Sequence, residues 1–67
     1  MKELIEKLTA EANEYKERVN KLDHFLHSDK AATLEDYDLG LLQDQREEMI
    51  KLAVIIDLRI KSLNSYL

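Results

Sequence analysis

The sequence predicts an all-α protein: an antiparallel two-helix hairpin that assembles with copies of itself into a homo-oligomeric helical bundle. Three observations lead there. Apolar residues recur every three or four positions through two long segments, the pattern of helices that each bury a face. Proline is absent and Gly40 is the only glycine, which leaves little for the tight turns of a multi-stranded sheet. The chain has 67 residues and no cysteine. Ordering it costs on the order of 100 kcal/mol at about 1.5 kcal/mol per residue, and a core this small rarely offsets that without a disulfide, a metal or a partner chain. One helical-hairpin domain, residues 1–67, is expected.

The first helix is predicted over about residues 2–27. Leu4, Leu8, Ala12, Tyr15, Val19, Leu22 and Leu26 follow at steps of three and four and form one stripe. Glu, Lys, Ala and Leu fill most other places and favour helix intrinsically. The break falls at residues 28–33, where Ser28 and Asp29 compete for backbone groups. Thr33, followed by Glu35 and Asp36, reads as an N-cap with acids in the first turn, where the helix dipole favours them.

The second helix is predicted over about residues 34–64. Its stripe is Leu34, Tyr37, Leu41, Gln45, Met49, Leu52, Ile56, Ile60, Leu63 and Leu67. A short loop between helices of similar length makes them antiparallel neighbours. Gly40, early in this helix, costs about 1 kcal/mol relative to Ala; close approach of another helix is its plainest justification. Gln45 is the odd member of the stripe. Buried without partners it would cost a few kcal/mol, so it either pairs across the hairpin or faces a polar cavity. Arg59, at the stripe's edge, raises the same choice.

A second apolar stripe remains on this helix. Leu39, Ile50, Val54 and Leu58 lie roughly opposite the first, with Ile55 between. One partner helix cannot cover both sides, and apolar residues all round imply burial all round. These four residues are the expected oligomer interface, with the point-group symmetry usual for identical chains.

The net charge is −4, from 10 Lys and Arg against 14 Asp and Glu. An acidic chain is a poor partner for long nucleic acid, whose binding follows phosphate neutralisation; a small anionic ligand needs only local positive charge. The N-terminal residues Met1 to Lys7 alternate charged and apolar types, unlike a signal peptide. The longest apolar run, Leu52–Ile56, is far shorter than a membrane span. A soluble, intracellular protein is expected, with no membrane partner.

Catalysis finds little support. His24 and His27 are the only imidazoles, and no hydroxyl nucleophile shares a helix face with them. The Glu-x-x-His pairs of a di-metal carboxylate bundle are missing, and the acidic stretch 29–38 lacks the spacing and glycine of a calcium loop. His24 and His27 could share one turn and hold a metal, but two solvated histidines near a loop are the plainer reading, and no metal and no cofactor is expected. The row Tyr15, Arg18, Lys21 and Phe25, at steps of three, three and four, carries more chemistry. Arg can hold a phosphate by two bonds, Lys adds a point charge, and an aromatic ring can stack a base. The plainer reading is a basic rim whose stems cover the core edge and pair with Glu14 or Glu17.

The segment Glu17-Arg18-Val19-Asn20-Lys21-Leu22-Asp23-His24-Phe25-Leu26 resembles the ER(I/V)xKLxxFL first helix of a family of small phage proteins. Leu41-Leu42-Gln43-Asp44-Gln45, Met49 and Arg59-Ile60 are similar to its second-helix pattern, LLxxQxxxM…R(I/V). The family looks like the helical-hairpin domain shared by phage anti-CBASS and anti-Thoeris sponge proteins, and the resemblance covers about residues 15–60. It departs at Leu52, where the family often has Tyr. What the resemblance implies is a homohexamer in the cytoplasm of an infected bacterium. Such an assembly sequesters cyclic di- or trinucleotides, or cyclic ADP-ribose isomers, without cleaving them. Pockets would lie between protomers, because one hairpin has no room for a cavity of several hundred Å³. Arg18 and Lys21 would contact phosphates, Tyr15 or Phe25 would stack a base, and Thr33, Gln45 and Arg59 would add polar contacts. The alternative is a structural or adaptor coiled coil that binds another phage or host protein through the back of the second helix.

Overall fold

The computed structural model describes all of residues 1–67 and consists of two helices and a turn. Helix α1 spans Lys2–Leu26 and helix α2 spans Asp36–Asn64, joined through a 3₁₀ turn at Ala31–Thr33. The helices lie antiparallel in a rod of 50 × 15 × 12 Å. No helix is long and apolar enough to cross a membrane.

Side chains stop α1. The Ser28 hydroxyl donates to the Phe25 carbonyl, and a ring nitrogen of His27, Nδ1, lies 2.8 Å from the Asp23 carbonyl. Each adds a side-chain contact to a carbonyl in the last turn that also accepts a backbone N–H, Asp23 from His27 and Phe25 from Ser28. The predicted start of α2 needs correction. Thr33 is not its N-cap: the Thr33 hydroxyl closes the 3₁₀ turn by donating to the Lys30 carbonyl at 2.7 Å. Leu34 and Glu35 are extended, and Glu35 occupies the cap position without a side-chain bond. The acids still serve the dipole, with Asp36 and Asp38 in the first turn. The reversal requires no glycine, since no residue has positive φ. Gly40 has nothing within 4 Å of where a Cβ would stand, so no helix of this chain presses on it.

The α1 stripe is as predicted through its middle. Leu8 and Ala12 are buried, and Tyr15, Val19, Leu22 and Leu26 are half-buried; Leu4, in the first turn, is exposed. The α2 stripe differs. Met49, Ala53 and Ile56 are buried, and Leu39, Leu42, Arg46, Ile60 and Leu63 are half-buried. These positions alternate steps of three and four along the whole helix, the seam of two helices with nearly aligned axes. Tyr37, Leu41, Gln45 and Leu52, assigned to the seam from sequence, are exposed, as is Leu67. Small residues sit on this seam: Ala53 on α2 and Ala12 on α1 are both buried.

Leu39, assigned to the outer stripe, is half-buried and lines a groove with Leu26, Ala31 and Ala32 of the turn. Ile50, Val54 and Leu58 do lie outward, with Val54 52% and Leu58 60% exposed. Only six residues are buried in the whole hairpin, which is too few for its length to make a self-sufficient core.

Candidate functional site

Two ion pairs cross the hairpin and set its register. Lys16 Nζ meets Asp57 Oδ2 at 3.0 Å, in the middle of the rod. Arg46 donates through Nε to one oxygen of Asp23, and Nη2 reaches the other at 3.4 Å. The fork geometry of guanidinium on carboxylate favours this two-point pairing. Arg46 holds the Asp23 carboxyl below its ordinary value, against a smaller opposing effect of burial. The same bond raises the Arg46 guanidinium. Sequence reasoning singled out neither residue. The signal was the unbroken three–four alternation through Arg46, Met49 and Ala53, which places a long cation on the seam.

Tyr15 and Arg18 come together. Tyr15 packs against the core of Leu8, Ala12 and Ile56, and the Arg18 guanidinium carbon stands 5.8 Å from the centre of its ring. Glu14 accepts a bond from Arg18 Nη2 at 2.7 Å, so Arg18 is anchored on one edge, as the basic-rim reading expects. The Arg18 side chain is otherwise exposed. Lys21 has no ion-pair partner in the chain and is exposed. At about 100° per residue it lies about 60° around α1 from Arg18, farther from the seam. Phe25 is half-buried just before the turn.

The other candidates lie on α2 and in the turn. Gln45 and Arg59 are exposed. Together with Leu52 they follow at steps of seven, so they share one edge of the helix. Gln45 makes no hydrogen bond across the hairpin and is exposed beside the seam, so pairing across the hairpin, one of the two alternatives drawn from sequence, is overturned. By the register of the two cross-hairpin pairs, Arg59 lies within a turn of the level of Tyr15. Gln45 lies near the level of Phe25. Tyr15, Arg18 and Arg59 thus form a cationic and aromatic set at mid-rod. Thr33 stands apart at the turn.

A second polar area surrounds the turn. Asn20, Asp23, His24 and His27 line one shallow depression, and Gln43, Arg46 and Glu47 line another beside Asp23 and His27. No three His, Cys, Asp or Glu residues gather in a way that would hold a metal ion. No depression on the hairpin encloses a ligand-sized space by itself; each is an open groove between side chains.

The family model described as Sequestin matches residues 2–62, covering α1, the turn, α2 as far as Ser62 and every candidate residue above. No curated protein matches the chain. No solved structure matches it either. The match agrees with the resemblance carried by Glu17–Leu26 and Leu41–Met49 to the phage sponge proteins. The chain belongs to the Sequestin family.

Proposed function

We propose that this protein is a non-catalytic sponge. It binds a small cyclic nucleotide signal, a cyclic di- or trinucleotide or a cyclic ADP-ribose isomer, and withholds it from a bacterial anti-phage response. The observation that carries the reading is the Sequestin match over residues 2–62, a family whose name denotes sequestration of a small molecule. The geometry supports it in two ways. The exposed apolar residues of α2 favour self-assembly, in which grooves of single hairpins join into closed pockets. Arg18, seated on Tyr15, has guanidinium donors to offer a phosphate, with Arg59 near the same level.

In this reading copies of the hairpin form a homo-oligomer, a hexamer by resemblance to the phage sponges, in the cytoplasm of the infected cell. Arg18, Lys21 and Arg59 supply positive charge, Tyr15 or Phe25 stacks a base, and Thr33 and Gln45 contribute polar contacts. Symmetry solves the charge problem. The chain is acidic overall, but each pocket collects the same cation from two or more copies. Retention needs tight binding and no turnover, so neither a metal nor a general base is required.

Mass measurement of the protein purified from infected cells tests this. The expected result is an assembly carrying a ligand that denaturation releases with the mass of an intact cyclic nucleotide. An assembly free of nucleotide but bound to another protein would instead establish the adaptor reading.

A further inference from the structure

Along the outer face of α2 stand Glu47, Ile50, Val54, Leu58 and Lys61. Their steps are three, four, four and three, the same read in either direction from Val54. At about 100° per residue all five fall within about 40° of one line along the helix. All five are exposed. Neither Glu47 nor Lys61 has an ion-pair partner, since the four salt bridges of the chain use other residues. Ile50 and Val54 also join Val19 and Ala53 in the apolar floor of a groove of ≈ 220 Å³, rimmed by the Lys16–Asp57 pair.

A palindrome of spacing with opposite charges at its two ends fits a second copy of itself. We infer that α2 packs antiparallel against α2 of a second copy about a two-fold axis at Val54. Ile50 then meets the partner's Leu58, Glu47 meets the partner's Lys61, and Val54 meets the partner's Val54. An isologous contact makes each unlike pair twice, so the Glu47–Lys61 ion pair and the Ile50–Leu58 apolar pair each occur twice, and Val54 meets its own copy once on the axis. Charge excludes the parallel alternative. In-register parallel packing sets Glu47 beside the partner's Glu47 and Lys61 beside the partner's Lys61, which costs rather than stabilises. Antiparallel packing also opposes the two helix dipoles. This inference rests on the self-assembly proposed above and specifies one of its interfaces.

The chain has no cysteine, so engineered cysteines report without background. Residues 47 and 61 are 14 positions apart on one straight helix, or about 21 Å. A disulfide needs Cα atoms within about 7 Å, so the double variant Glu47→Cys/Lys61→Cys can bridge only between chains. Mild oxidation should convert most of it to covalent dimer on a non-reducing gel, and Val54→Cys alone should do the same. Glu47→Lys and Lys61→Glu should each weaken self-association by about tenfold or more, and their combination should restore it. Helicity by circular dichroism confirms that each variant is folded. Sedimentation of the native chain separates the two claims. A native oligomer whose cysteine variants stay uncoupled would overturn the Val54 two-fold and leave self-assembly standing. A folded native monomer at 100 µM would overturn both.

Discussion

Asp23 on α1 and Arg46 on α2 form a two-point ion pair across the hairpin, one turn before α1 ends. Arg46 takes a place on the seam that the pattern of α2 would otherwise give to an apolar residue. Its paired head lies half-exposed at the edge, so its stem covers apolar surface while the charge keeps contact with water. The pair fixes the register of the two helices close to the turn, as Lys16 and Asp57 do at mid-rod.

This pair gives a pH dependence. Arg46 holds the folded carboxyl of Asp23 below its ordinary 3.8, so the folded state favours the ionised form. Its contribution is complete well above pH 3.8, shrinks as pH falls past that value, and is gone once pH passes the lowered folded value. Asp23→Asn should therefore melt below the native chain at pH 7, and the gap should close in more acidic solution. Thermal melts by circular dichroism from pH 7 to pH 2, at one protein concentration, measure the gap.

Substitutions at alanines test the seam. Ala12 is 1% exposed and Ala53 6%. Ala12→Leu should overpack the helix interface and cost about 1–3 kcal/mol. Ile56→Ala, at a buried position, should cost about 2–5 kcal/mol. Gln45→Ala, on the exposed edge, should change stability by less than about 0.5 kcal/mol. Denaturant titrations measure all three, and Gln45→Ala is the one that distinguishes this seam from one that runs through Gln45 and Leu52.

Gly40 gives a stabilising prediction. An added Cβ meets nothing within 4 Å and the backbone there is helical. Gly40→Ala should raise stability by about 0.5–1 kcal/mol. A loss instead, with a smaller assembly by sedimentation, would show that a neighbouring copy uses the space.

The hairpin and the α1 face were legible in the sequence because α1 separates its residue types cleanly. Leu8, Ala12 and Tyr15 have no large apolar rivals on the opposite side of that helix, where Ala10 alone is apolar. The α2 seam was not legible because α2 has rivals all round. Leu41 and Leu42, and Leu52 and Ala53, are adjacent apolar pairs, and the larger Leu52 drew the stripe away from the small Ala53 that is buried instead. The same shift hid Arg46 and brought Gln45 forward. Of the candidate site, the pairing of Tyr15 with Arg18 followed from their three-residue step. The level of Arg59 depends on a register that two ion pairs set, and no single-helix pattern contains it.

Arg18 separates binding from folding. Its stack on Tyr15 and its bond to Glu14 are both at the surface, where each contributes about 1 kcal/mol or less. Arg18→Ala should leave the melting temperature and the assembly nearly unchanged. Loss of a charge-assisted bond to phosphate, about 1.5–3 kcal/mol each, should weaken ligand binding by at least about tenfold. Parallel melts and binding titrations of the variant read the two effects separately.

The central claim is that the chain holds a small cyclic nucleotide without altering it. Titration calorimetry of the native protein with cyclic dinucleotides, cyclic trinucleotides and cyclic ADP-ribose isomers, with chromatography of the ligand recovered afterwards, tests it most directly. The account predicts saturable binding of at least one member at micromolar concentration or below, with the ligand recovered intact. No binding to any member, or recovery of a cleaved product, would contradict it.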